Sequence, residues 1–260
     1  MQSIKTLINK SFVVWVVPVI FLVGWQLSGS FGFLSAETLP TPWQVVKGAE
    51  RLIVDGSLIH YIWISTKRAF IGFFIGGLIG FLLGFMNGLS RISEKLLDTS
   101  IQMVRTIPHL ALIPLVILWF GIGEESKLFL VALGVAFPIY LNTFNGIRNI
   151  DPGLLEMGKV YGLKGKVLFW QVILPGALPS ILVGVRYALG VMWMSLIVAE
   201  TIASDSGIGY MATSAREFMQ MDIVILSILL YAFLGKLSDF LAGLLEKRWL
   251  KWHPNFSRSK

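Results

Sequence analysis

Six apolar stretches, each about as long as a hydrocarbon core is thick, constrain this chain more than any other feature. They cover residues 12–28, 62–89, 101–120, 128–147, 181–201 and 223–245. Lipid offers no partner to a backbone amide, so each stretch must satisfy its own amides as a helix. Only 14% of residues are charged, where soluble domains carry about 25%. An all-α polytopic membrane protein is expected, forming one transmembrane domain over residues 1–260 with about six spans.

The formal net charge of +7 does not point to nucleic acid, because the basic residues sit in short segments beside the apolar blocks, where they set membrane orientation. With both termini in the cytoplasm, thirteen Lys and Arg lie on the inner side, among them Lys95, Arg148, Lys159, Lys164 and Lys166, and six on the outer side. This balance predicts cytoplasmic termini and a cytoplasmic stretch 151–179. The chain has no cysteine, which removes disulfides, thiolate metal sites and cysteine nucleophiles. The first block follows Lys5 and Lys10 as a signal peptide would, but its Trp15, Trp25 and Pro18 and the poor cleavage site after it favour a retained span.

Within the second block Gly72, Gly76, Gly80, Gly84 and Gly88 recur at every fourth position. Such a stripe opens a groove along one helix face and predicts close packing against a neighbouring helix. Residues 43–54 show helical spacing in Trp43, Val46, Ala49 and Ile53 and read as a short interfacial helix. Pro108 and Pro114 in the third block and Pro138 in the fourth are kinking residues tolerated beside protein or water, so both blocks are candidates for lining a pathway. Asn142 is expected to bond a neighbouring helix, and Met192, Trp193 and Met194 to pack.

Ionisable groups inside spans mark function by default. Arg105 and Arg186, both near cytoplasmic ends, suit an oxyanion in geometry and charge and are pathway candidates together with Ser195. Glu200 is expected to pair with Arg216 or to cap the following turn. Catalysis finds no support. The three histidines lie in different segments without a His-Glu-x2-His pattern, Ser195 has no nearby His, and no Gly-x4-Gly-Lys-Ser/Thr loop exists to cradle phosphates.

The polar stretch 151–179 cannot span. Asp151 and Pro152 read as an N-cap and first helical residue, Gly162 as the left-handed residue that ends the helix, and Lys164 to Gln171 as a second short helix stopped by Pro175. Glu156-Met157-Gly158, three residues, Gly162, nine residues, then Val172-Ile173-Leu174-Pro175 resembles the cytoplasmic signature of ATP-binding-cassette importer permeases, Glu-Ala-Ala, x3, Gly, x9, Ile-x-Leu-Pro. The sequence departs from it at Met157, Gly158 and Val172. Longer runs, LLDTSIQMVRTIPHLALIPLVILWFGIGE, FPIYLNTFNGIRNID, VILPGALPSILVGVRYALG and AETIASDSGIGYM, are similar to the aliphatic sulfonate permease branch, related to taurine and nitrate permeases.

The resemblance implies a type I importer permease fold in the bacterial inner membrane. It implies a non-catalytic subunit that pairs as a homodimer, two ATPase subunits that carry the ATP and Mg, and an extracytoplasmic binding protein. This chain itself would bind no cofactor and no metal. The segment Asp151 to Gly165 would be the helix that enters the ATPase, with Glu156, Met157, Gly158, Gly162, Leu174 and Pro175 as its coupling residues. A secondary transporter or channel is the competing reading; it predicts inverted repeats and mid-membrane carboxylates for a coupling ion, and the sequence shows neither.

Overall fold

A computed structural model describes residues 2–33, 35, 38–202 and 204–252, with backbone alone at 2–15 and 109–110. The basic tail 253–260, including the Arg258 and Lys260 of the charge balance, lies outside the described residues. Every regular element among them is helical. In chain order these are α1 (Gln2–Ser30), α2 (Pro42–Val54), α3 (Ser57–Leu89), α4 (Arg91–Thr106), a 3-10 turn (His109–Leu112), α5 (Ile113–Phe120), α6 (Glu124–Arg148), α7 (Pro152–Val160), α8 (Gly165–Leu168), a π turn (Phe169–Ile173), α9 (Leu174–Ile202), α10 (Ile208–Glu217) and α11 (Met221–Trp249). Four helical runs are long and apolar enough to cross a membrane: Ser57–Leu89, Glu124–Arg148, Gly165–Ile202 and Met221–Trp249. Val16–Ser30 is a shorter apolar helix.

Helix α6 is the centre of the bundle, packed between α3 and α9. The glycines explain how α3 comes so close. A Cβ at Gly76 or Gly80 would run into the carbonyl of Ala132 or Ala136, and one at Gly84 would lie 2.6 Å from the Tyr140 carbonyl oxygen. Gly72 meets Val131 and Gly88 meets Ile147 in the same way, at 2.6 and 2.9 Å. In lipid, where apolar burial does not drive association, such backbone contact supplies the packing. The other face of α6 repeats the device. Gly184 of α9 lies over Asn142, and Gly146 of α6 faces the Ala177 carbonyl. The side chain of Asn142 turns back to the Pro138 carbonyl of its own helix at 2.9 Å rather than bonding a neighbour, and the bond to α9 at this residue is through its main chain, where Ser180 Oγ donates to the Asn142 carbonyl at 2.8 Å.

Helix α11 closes over α9, with Trp193 Nε1 donating to Ser238 Oγ at 3.0 Å. Met192 and Trp193 are buried there, whereas Met194 points outward, 70% exposed. At α2 the Thr41 side chain and Gln44 form a reciprocal capping box with Pro42 at the first helical position, which fixes this helix before the first long span.

The third apolar stretch is not one helix. Helix α4 starts at Arg91, ten residues before the expected block, where the Ser90 side chain accepts from the Ser93 amide. It stops at Thr106 because Ile107 precedes Pro108, whose ring pushes the preceding residue to extended backbone, here φ −72 and ψ 123. The 3-10 turn and the eight-residue α5 follow. A continuous span over 101–120 is therefore corrected to two helices with a break.

Candidate coupling segment and buried polar network

Helix α7 begins as its residues dictate. The Asp151 side chain accepts from the Gly153 amide at 2.8 Å, and Pro152, which has no amide to satisfy, takes the first helical position. Its end is a Schellman motif: Gly162 N–H donates to the Lys159 carbonyl at 2.9 Å and Leu163 N–H to the Gly158 carbonyl at 3.0 Å. Gly162 has φ +80, a conformation costly for a side chain with a Cβ.

One face of α7 is tied to the helix that follows, and the other is free. Gly158 is buried, and a Cβ there would lie 2.7 Å from Leu168 Cδ1 and 3.3 Å from Val172 Cγ2, so its small size lets α7 rest on α8 and the π turn. Around the rest of α7, Leu154, Met157, Val160 and Tyr161 are exposed, Val160 at 85%. Glu156 is also exposed and, among the described residues, has no side-chain hydrogen bond or ion pair within the chain. These exposed apolar side chains with a charge beside them make α7 a candidate surface for another protein.

Pro175 does not stop the second helix. The chain runs helically from Gly165 to Ile202 through both Pro175 and Pro179. The π turn at Phe169–Ile173 lies just before Pro175, and its extra residue shifts the hydrogen-bond register there so that the missing amide of Pro175 is absorbed. Leu174 packs beside Ile147, Ile150 and Ala177 and roots α9 against the C-terminal end of α6. The coupling segment is thus mechanically continuous with a span.

The three proposed pathway residues lie apart. Arg105, in the last turn of α4, is exposed and donates to Gln102 of its own helix at 2.8 Å. Arg186 on α9 donates to Asp239 at 2.5 Å and Glu246 at 3.4 Å, both on α11, so its charge is already countered. Ser195 is buried inside α9.

At the end of the bundle opposite α7 stands a network that the sequence reading did not assemble. Arg68 of α3 is 3% exposed. Its guanidinium forks onto Glu124 of α6 through Nε, at 2.7 Å, and Nη2. Nη1 donates to Glu200 of α9 at 2.9 Å, to the Ser206 carbonyl at 2.5 Å and to Ser204 Oγ at 3.2 Å. Glu200, 1% exposed, also accepts from Ser65 Oγ at 2.7 Å, from the Gly209 amide and Tyr231 hydroxyl at 2.9 Å each, and its counterion is therefore Arg68 and not Arg216. Lys127 adds a second cation to Glu124 at 3.3 Å.

Five helices are clamped at this point: α3, α6, α9, α10 and α11. The signal in the sequence is opposite charges near the ends of three spans; Arg68 and Lys127 are two of the six basic residues that the charge balance puts on the outer side.

Three comparisons bear on this geometry. Residues 76–251 match the family model described as binding-protein-dependent transport system inner membrane component. The chain is 61% identical, over 93% of its length and 92% of the relative's, to the putative aliphatic sulfonates transport permease protein SsuC of Escherichia coli K12. It is 33% identical to the taurine transport system permease protein TauC of the same organism, over 90% of this chain and 87% of that one. Among solved structures, an amino acid ABC transporter chain aligns over 79% of this chain and 97% of its own with a TM-score of 0.62 at 20% identity, a likeness of fold.

Proposed function

From a chain that belongs to the family of binding-protein-dependent transport system inner membrane components, we propose an importer subunit that carries aliphatic sulfonates across the membrane and takes its energy from a separate ATPase. As a member of the family the chain is a multi-pass inner-membrane permease and no enzyme, and it works with an ATPase and a substrate-binding protein. The finer assignments are proposals: a homodimer of this chain, two ATPase subunits bearing the ATP and Mg, and both termini in the cytoplasm.

The observation that carries the coupling role is the free face of α7. Its exposed Leu154, Met157, Val160 and Tyr161, with Glu156, which has no partner among the described residues, fit a groove on a cytoplasmic subunit. Gly158 and Gly162 set how α7 sits, and Leu174 and Pro175 begin the span it drives. A pair of ATPases that close and open would move α7 as a rigid piece. Its contact through Leu168 and Val172 passes that displacement to α9, a switch by small movements of packed helices. The energy comes from the differing affinity of the ATPases' two states for the permease.

The sulfonate cargo rests on the 61% relative, whose identity far exceeds the 33% of the taurine permease and the 31% of the nitrate import permease NrtB of Synechococcus elongatus. The test is reconstitution of the permease with its ATPase and binding protein in liposomes. An alkanesulfonate should stimulate ATP hydrolysis and be taken up, with taurine and nitrate far weaker. Equal stimulation by nitrate, or none by alkanesulfonates, would overturn the cargo assignment.

A further inference from the structure

Lys236 lies near the middle of α11, 79% exposed at its side chain. It is 14 residues from Asp222 and 11 from Lys247, charged residues near the two ends of this helix. At 1.5 Å rise per residue those intervals are about 21 and 16 Å, which puts the ammonium close to the mid-plane of a core about 30 Å thick. The same face carries Asp239, which Lys236 reaches at 3.1 Å, and Arg186 of α9, 46% exposed, which binds Asp239 from the other side. An ammonium is compact and strongly hydrated, and an exposed one at this depth does not face acyl chains.

The surrounding residues fit water better than a packed partner. A Cβ at Gly190, one turn beyond Arg186 on α9, or at Gly243, one turn beyond Asp239 on α11, would meet no atom of this chain within 4 Å, and Tyr187 beside Arg186 is exposed. The charges balance, Arg186 and Lys236 against Asp239 and Glu246. Such a cluster holds a passing ion weakly, as conduction requires, since a site must release what it binds. Lys236 makes one bond with three donors, whereas Arg186 is held by two carboxylates. Arg186 keeps donors of its own but is gripped by two carboxylates, so the cation free to move on this face is Lys236.

We propose that the face of α9 and α11 bearing Arg186, Lys236 and Asp239 lines a water-filled vestibule of the assembled transporter, and that Lys236 is the transient contact for an anionic sulfonate head group. Arg186 holds Asp239 in place, so Lys236 can leave that carboxylate for the anion without leaving it unpaired. The sulfonate part of the inference rests on the cargo reading above, and the water-lined face does not.

The chain's lack of cysteine makes the test direct. Gly190→Cys and Gly243→Cys, each placed where a new Cβ meets nothing, are introduced singly, with Phe74→Cys on the apolar exposed face of α3 as the control. The complete transporter in liposomes is treated with a membrane-impermeant, sulfonate-bearing thiosulfonate reagent, and labelling is read from the mass of this chain. Both glycine positions should label at least about tenfold faster than the control, as water-exposed thiols do relative to lipid-facing ones. Alkanesulfonate should slow them about threefold or more, and Lys236→Gln should abolish that protection. Labelling as slow as the control would overturn the vestibule. Fast labelling that alkanesulfonate does not slow, or protection that survives Lys236→Gln, would overturn the anion contact. The cysteine-free parent separates this from the cargo reading: if its ATPase does not respond to alkanesulfonate, the cargo reading fails, while the labelling rates still decide the vestibule.

Discussion

Arg68 directs its guanidinium hydrogens to Glu124, Glu200, Ser204 and Ser206, all inside the chain, whereas Glu156 at the other end of the bundle is exposed with no partner among the described residues. Both are charged residues in a very apolar protein, and their environments separate two tasks. A buried pair is costly to desolvate and tolerable only with its hydrogen bonds complete, so it fixes where five helices meet. An exposed charge beside Val160 and Tyr161 contributes little to folding and is available to another protein. One end of the molecule is fastened, and the other is left to be gripped.

The contrast breaks most visibly at the fastened end. Arg68→Leu leaves Glu200 buried without its counterion and should lower stability by about 3 to 5 kcal/mol, read as thermal unfolding of the purified protein. Combining it with Glu200→Leu should recover much of the loss, because no unpaired charge remains; strict additivity of the two would mean the residues do not act as a pair. Next in size are the contacts along α3. Gly76→Ala or Gly80→Ala must push α6 away and should cost about 1 to 3 kcal/mol, while Gly190→Ala, which meets open space, should stay within about 0.5 kcal/mol of the parent.

At the gripped end, Gly162→Ala should cost about 1 kcal/mol through its positive φ. The loss should show as faster amide exchange confined to α7 and its Schellman turn, with the far network unchanged. The smallest effect is at Asp55, between α2 and α3, where the Ser57 hydroxyl and then its amide hold the carboxyl below its usual range. A depressed carboxyl stabilises above its unfolded pKa of about 3.9 and loses that contribution as pH falls through the folded value. The melting points of the parent and Asp55→Asn should therefore differ slightly near neutrality and converge on acidification; a gap that stayed constant below about pH 3 would exclude this carboxylate as its source.

What could be read from the sequence was local. The period of Gly72 to Gly88 defines a helix face without any fold, and Asp151-Pro152 and Gly162 delimit α7 through caps that involve only neighbouring residues. Long-range pairing could not be read this way. Arg68 and Glu200 are 132 positions apart, and only the packing of α3 and α9 on α6 brings them to 2.9 Å. Prolines misled in both directions, since one rule has two outcomes depending on the turn before it. Pro108 ends α4 because Ile107 is forced extended, whereas Pro175 passes within a helix because the π turn absorbs its missing amide. Arg186, read as a free cation, has carboxylate partners on α11 that only the fold reveals.

Glu156→Ala in the reconstituted transporter tests most directly whether α7 joins this chain to its motor. The account predicts an unfolding stability equal to the parent's, within about 0.5 kcal/mol, because the exposed side chain has no partner among the described residues. It predicts at least about tenfold weaker retention of the ATPase, with sulfonate uptake falling in step, which corresponds to about 1.4 kcal/mol at a docking contact. Parent-like ATPase retention and uptake in that variant would contradict it.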